Sequence, residues 1–317
     1  MDVFSGETAL VDYFRGRWPA GQVRARLARE RQGAEPVLDH HGRFHPENSV
    51  LVQQALRLGL RLSGLYTRGR NNARRLRLRR RSLRLPKLPP ALNGVRILHL
   101  SDLHLDMHPD LPWVLRERVR NLDYDFCVIT GDFRYHTRGT SAPALAAMAD
   151  VMQVLRSPVY GVLGNHDSLD MVPALEQMGV RVLLNESVLW EERGSPVAVA
   201  GVDDPHYFGL HDLDRARAGV PEGVPLLLLS HSPETYREAA LAGYHALLCG
   251  HTHGGQICLP GGVPLVTNAR CPRHMCRGGW EFDGLRGYTT AGVGASVMDV
   301  RFNCPPEMVL HILRRAN

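Results

Sequence analysis

Short apolar runs of strand length recur along the chain, and five of them end on a polar block. Residues 95–100 lead into Asp102-Leu103-His104, and residues 126–130 into Gly131-Asp132. Residues 159–163 lead into Gly164-Asn165-His166-Asp167, residues 226–229 into Ser230-His231, and residues 246–249 into Gly250-His251-Thr252-His253. Continuous apolar runs of this length read as buried strands. Helices are predicted between them over about 112–120, over 143–155, and from Ser232-Pro233-Glu234 to near Gly243, where a Ser cap, a first-turn Pro and a terminal Gly mark the ends. Further strand candidates cover 180–184, 197–202, 288–290 and 308–313. The alternation predicts an α/β domain. Ligand sites in open α/β sheets form beyond the carboxyl ends of strands, so the five polar blocks are predicted to meet.

Ahead of residue 74 the pattern changes. Leu51, Ala55, Leu58, Leu62 and Leu65 recur at steps of three and four, an amphipathic helix over 50–66, with Arg57 and Arg61 nearby and Arg68, Arg70, Arg74 and Arg75 following. Such a helix either packs on the main domain or lies on an anionic lipid surface. Residues 76–85 alternate Leu with Arg, as an edge or half-buried strand does, before Pro86, Pro89 and Pro90 break the chain. Residues 1–48, interrupted by Pro19, Pro36 and Pro46, suggest no role. The predicted organisation is a basic, helical N-terminal segment over 1–72 and one α/β domain over 73–317.

A hydrophobic content of 44% in 317 residues supplies a real core and excludes a fibrous or wholly disordered chain. The formal net charge of +6 hides an asymmetry: residues 1–87 hold 19 Lys and Arg against seven Asp and Glu, so the remainder is mildly acidic. Lys87 is the only lysine, a bias that a GC-rich genome explains as readily as phosphate recognition does. Six scattered cysteines do not form a disulfide scaffold, which points to a reducing compartment and a cytoplasmic protein. The sequence suggests neither a signal peptide nor a membrane span, and the basic segment leaves a place at the periphery of the inner membrane open.

Alone, each polar block is ordinary: an Asp-x-His is a turn, and a His at a strand end is a hydrogen-bonded core residue. In series, they supply carboxylate, imidazole and carboxamide donors without a thiolate, which suits Mn²⁺, Fe²⁺ or Zn²⁺. Two such ions about 3.5–4 Å apart can clamp an in-line displacement at phosphorus. Such a pair needs a shared carboxylate, for which Asp132 is the natural candidate.

The ordered series Asp102-x-His104, Gly131-Asp132, Gly164-Asn165-His166-Asp167, His231 and Gly250-His251-x-His253 resembles the calcineurin-like metallophosphoesterase family over about residues 74–317. The resemblance implies a four-layer α/β/β/α sandwich of two mixed sheets with the site at strand carboxyl ends. It implies two divalent metal ions, one held by Asp102, His104, Asp132 and His253 and the other by Asp132, Asn165, His231 and His251. His166 is then the acid for the leaving group or a stabiliser of the phosphoryl oxygens, with Asp167 orienting its ring. The tail Gly254-Gly255-Gln256, followed by Leu259-Pro260-Gly261-Gly262, is similar to a bacterial branch of phosphodiesterases and pyrophosphatases. That branch is similar to membrane-peripheral enzymes, some of which cleave the pyrophosphate of UDP-diacylglucosamine. In it the glycines would let the backbone approach a bound phosphate; a plain turn is the other reading.

Arg134, Tyr135 and His136 follow Asp132 closely and either border the pocket or stand as solvated loop residues. Asp203-Asp204-Pro205-His206 could hold another ion but reads first as turn chemistry. Cys258, Cys271, His274 and Cys276 form either a compact zinc site or a set of reduced loop thiols. Arg301-Phe302 suggests no chemistry. The function expected is hydrolysis of phosphodiester or pyrophosphate bonds on a lipid-linked or nucleotide substrate at a membrane surface. The alternative is a protein whose basic segment tethers it to membrane or nucleic acid through counterion release, with a structural or silent metal site. No protein partner is implied.

Overall fold

A computed structural model of the chain describes residues 6–32, 50–86 and 88–316. One sheet runs in the order β1 (Arg77–Leu85), β12 (Glu307–Arg315), β2 (Arg96–Leu100), β3 (Phe126–Thr130), β4 (Val159–Val162) and β5 (Val180–Val182). The other runs β10 (Gly278–Phe282), β11 (Leu285–Thr289), β9 (Ala246–Cys249), β8 (Leu226–Leu229), β7 (Ser195–Gly201) and β6 (Glu186–Glu192). Both are mixed: β2 to β5 are parallel, as are β7, β8, β9 and β11, while β12 with β2, β6 with β7 and β10 with β11 are antiparallel.

The alternation of side chains along a strand builds the layers. Ile97, Phe126 and Val128 turn inward and pack with Val199, Leu227, Leu229 and Leu248 of the second sheet. Leu98, Leu100, Cys127 and Ile129 turn outward under α5 (Leu111–Val119), α6 (Ala142–Met152) and α7 (Val172–Gln177). Ala198, Leu226, Leu228 and Leu247 face α8 (Leu213–Arg217) and α9 (Tyr236–Leu241). The four layers are those that the family resemblance implies. β6 and β10 were not foreseen: the first carries three glutamates and the second begins with two glycines, so neither shows an apolar run.

The N-terminal part behaves in two ways. α1 (Glu7–Tyr13) and α2 (Ala20–Gln32) lie on the outer face of the first sheet, with Leu10, Phe14, Trp18, Val23 and Leu27 in the same core as Leu98. Residues for which the sequence suggests no role therefore complete the core. The helix predicted over 50–66 is two, α3 (Val50–Leu62) and α4 (Leu65–Ala73), broken at Gly64, which adopts a left-handed φ of 71°. Gly69 of α4 packs on Val300 and Phe302. The α3 stripe stays in solvent: Leu51, Leu58 and Leu62 are 77%, 57% and 81% exposed. No described helix is long and apolar enough to cross a membrane.

Candidate metal centre

All five polar blocks converge where the carboxyl ends of β2, β3 and β4 face those of β8 and β9. The chain must turn sharply there. Asp102, His104, Asp132, His251 and His253 all take left-handed φ values, between 43° and 67°. That region is sparsely populated by non-glycine residues, though Asp and His tolerate it better than most, and such strain concentrates at functional sites. The motif glycines answer to crowding. A Cβ on Gly164 would stand 2.2 Å from Asp132 Oδ1, and one on Gly250 2.3 Å from Asp102 Oδ2.

His104 Nε2 lies 3.5 Å from Asp132 Oδ2 and 3.3 Å from His253 Nε2, which is itself 3.5 Å from Asp102 Oδ1. His231 Nε2 lies 3.3 Å from Asp132 Oδ2, 3.0 Å from Asn165 Oδ1 and 3.2 Å from His251 Nδ1. Three overlapping sets, Asp102/His104/His253, His104/Asp132/His166 and Asp102/Asp132/His231, each bring one donor atom per residue within 4.8 Å of the others. All seven ligands expected from the sequence are brought together, Asp132 in the middle.

The donor set fits cations. Nδ1 of His104 donates to the Arg134 carbonyl at 2.9 Å, and Nδ1 of His231 to the Thr130 carbonyl at 2.8 Å. The Nε2 atoms thereby point at the buried Asp132 carboxylate, with Asp102 buried close by, and such a buried convergence of carboxylates calls for positive charge. Burial pulls His104 down to about 4, and His251 and His253 well below the usual imidazole range, leaving the neutral, metal-ligating form. Burial pulls His231 down too, but Asp132 overrides it and holds the ring up at about 10. Its proton stands where a cation's charge would otherwise sit.

His166 Nε2 stands 3.9 Å from Asp132 Oδ2, and its Nδ1 bonds the Tyr135 carbonyl at 2.5 Å. The ring thus takes its orientation from Tyr135, where Asp167 was expected to act. The Asp167 carboxylate instead accepts the backbone amides of Asp132, Phe133, Arg134 and Gly164 at 2.8–3.3 Å, joining two of the blocks.

The remaining candidates are engaged within the fold. Arg134 commits its guanidinium to the carbonyls of His166, Thr137 and Gly139. Gln256 spends its side-chain amide on Ser296 and Met298. Gly254 and Gly255 have positive φ, and a Cβ would strike Arg277 and Cys304 from the first and Pro264 from the second, so packing explains both. Asp204 accepts the amides of His206, Tyr207 and Phe208, the expected turn. Cys271 and Cys276 approach to 3.6 Å, and Cys258 sits with Cys304; among the described residues, no set able to hold an ion includes Cys258, Cys271, His274 or Cys276.

Sequence reasoning missed several contributors. Arg301 is fully buried, donates to the carbonyls of Ala291, Gly294 and His253, and stands 3.2 Å from His253 Nδ1. Gly292 and Gly294 leave room for Asp102 and His104. Arg26 reaches Asp167 from α2. A cavity of about 430 Å³ runs from Asn165 and His166 along α1 and α2, over Leu10, Leu27 and Phe208.

The model of the calcineurin-like phosphoesterase family matches residues 95–255, a span that holds all five blocks. The chain is 31% identical over 233 residues to the uncharacterised Bacillus subtilis metallophosphoesterase YkoQ, covering 70% of this chain and 84% of that one. It is 26% identical over 229 residues to the Escherichia coli phosphodiesterase YaeI, covering 68% and 80%. With the UDP-2,3-diacylglucosamine pyrophosphatase LpxG of Chlamydia muridarum it shares 24% over 300 residues, covering 74% and 88%. Matched motif, shared length and converged donors lead to one assignment: the chain is a metal-dependent phosphoesterase and belongs to the calcineurin-like phosphoesterase family.

Proposed function

We propose that the protein hydrolyses phosphodiester or pyrophosphate bonds with a pair of divalent ions, Mn²⁺, Fe²⁺ or Zn²⁺, on a lipid-linked or nucleotide substrate at a membrane surface. The observation that carries this reading is the sharing of Asp132 Oδ2 between His104 on one side and His231 on the other, at 3.5 and 3.3 Å. Asp102, His104, Asp132 and His253 would hold one ion, and Asp132, Asn165, His231 and His251 the other. The pair would lower the pKa of water and neutralise charge at phosphorus.

The chain's own residues do the rest. The Tyr135 carbonyl holds the Nδ1–H of His166, so the protonated ring presents Nε2–H to the reaction. As the water oxygen, one proton already lost to solvent, bonds phosphorus and the opposite P–O bond breaks, the Nε2 proton of His166 passes to the leaving oxygen and leaves the ring neutral. The leaving group lies in the cavity beside α1 and α2. A diester or pyrophosphate linkage accords with the printed activities of YaeI and LpxG.

The exposed leucines of α3 support docking on anionic lipid. Arg57, Arg61 and Arg68 are exposed beside them, and Leu259, Val263, Leu265 and Val266 form an exposed apolar loop that adjoins Phe302, as α4 does. Hydrolysis and tethering are then two properties of one protein.

Elemental analysis, paired with hydrolysis of bis-p-nitrophenyl phosphate and p-nitrophenyl phosphate before and after chelation, tests the reading. About two ions per chain and a chelator-sensitive diesterase activity restored by Mn²⁺ are expected. Full activity in the chelated protein, or in Asp132→Asn, overturns it.

A further inference from the structure

α2 grips the segment that follows His166. Arg26 has no exposed surface, and each of its guanidinium nitrogens is committed. Nε bonds both carboxylate oxygens of Asp203 at 3.1–3.2 Å, Nη1 bonds Glu30 Oε1 at 2.7 Å, and Nη2 donates to the Asp167 carbonyl at 3.0 Å. The guanidinium carbon lies 3.1 Å from the centroid of the Phe208 ring, a cation–π contact. Glu30 Oε1 also accepts the amide of Leu169 at 3.0 Å. One turn of α2 therefore takes a carbonyl and an amide from a three-residue stretch, while the Asp167 side chain fixes the same stretch from within.

A fully buried arginine is costly unless its hydrogen bonds are all made, and here the matching anion, Asp203, comes from beyond β7 at the carboxyl end of the second sheet. The clamp so formed ties three parts of the chain to the backbone next to His166. We propose that Arg26, assisted by Glu30, is a positioning residue for His166: it sets where Nε2 stands relative to the phosphorus, and α1–α2 are a working part of the active site. The proposal rests on the reading of His166 as the group that protonates the leaving oxygen.

The test uses Arg26→Met and Glu30→Ala in the full chain, with His166→Gln for comparison. The substrates are bis-p-nitrophenyl phosphate, which has a good leaving group, and diphenyl phosphate, which has a poor one. Removing a general acid costs roughly 10²- to 10⁴-fold where the leaving group needs its proton. His166→Gln is expected to lose that much on diphenyl phosphate and far less on the nitrophenyl diester. Arg26→Met is expected to show the same asymmetry at roughly tenfold or more, in kcat, with metal content unchanged. In the His166→Gln background it should add almost nothing, because residues that act as one unit are not additive. Glu30→Ala, whose side chain is partly exposed, gives a milder version should Arg26→Met fail to fold.

Equal losses on both substrates for a folded, metal-loaded Arg26→Met or Glu30→Ala overturn the positioning role, as does a full loss on top of His166→Gln. Equal losses on both substrates for His166→Gln overturn the acid role of His166, and with it the reading on which the clamp rests.

Discussion

Asp167 Oδ2 accepts the backbone amide of Asp132 at 2.8 Å, so the residue after the third block's histidine holds the backbone of the central carboxylate. Burial pushes the Asp167 carboxyl up to about 6 even with four amide donors around it, which makes those bonds indispensable to an ionised group. Asp167→Asn turns an amide donor toward backbone donors. Hydrogen bonds to charged groups are worth about 1.5–3 kcal/mol, and a loss of stability in that range is expected in urea melts, together with a lower kcat. A variant that melts and turns over like the parent contradicts this account.

Gly250→Ala should abolish metal binding. Its Cβ would meet Ser101 Oγ at 2.0 Å and Asp102 Oδ2 at 2.3 Å, in backbone and side chains that are fully buried. Gly21→Ala, in the first turn of α2 with nothing within 4 Å, is the control and should leave metal content and activity intact. Elemental analysis of the two purified proteins decides the matter.

The ligand blocks were legible because each follows a run apolar enough to be buried on both faces, and such runs end where parallel strands deliver their loops. The braces were not legible, for a physical reason. Arg26 and Gly292 act on partners more than 100 residues away, and Arg301 on His253, 48 residues away, and no local pattern records such pairings. Arg301, to which the sequence assigns no chemistry, closes on the His253 carbonyl of a ligand loop and on Gly294, whose missing side chain leaves room for His104. α2 was missed as a core helix because arginines and a glutamate interrupt its apolar face, although two of those charged residues, Arg26 and Glu30, form the clamp.

Acid should weaken the fold through a second pair of histidines. His99 and His311 are buried between the sheets with ring nitrogens 3.3 Å apart. Burial holds His99 well below the ordinary imidazole value and His311 at about 3. Below about pH 6.5 the unfolded chain takes up protons that the folded chain refuses, so stability falls from there down towards pH 3. Each ring contributes a slope of up to about 1.4 kcal/mol per pH unit. His311→Gln should remove one such contribution in denaturant melts at a series of pH values; an unchanged slope would show that the ring titrates normally.

Leu51→Glu, Leu58→Glu and Leu62→Glu, combined on the exposed face of α3, should abolish sedimentation with vesicles containing phosphatidylglycerol. Hydrolysis of a soluble diester should be unaffected, because this face touches no part of the metal centre. Undiminished vesicle binding would assign the docking elsewhere.

The first strand of the chain lies alongside the last: β1 pairs with β12 over nine residues, from Arg77 with Glu307 to Leu85 with Arg315. Arg26 braces one side of the active site from near the start of the chain, and Arg301 braces the other from near its end. The ligand cluster is thus held from two sides by residues 275 positions apart, each through a main-chain carbonyl, so its geometry depends on closure of the fold as a whole rather than on any one loop.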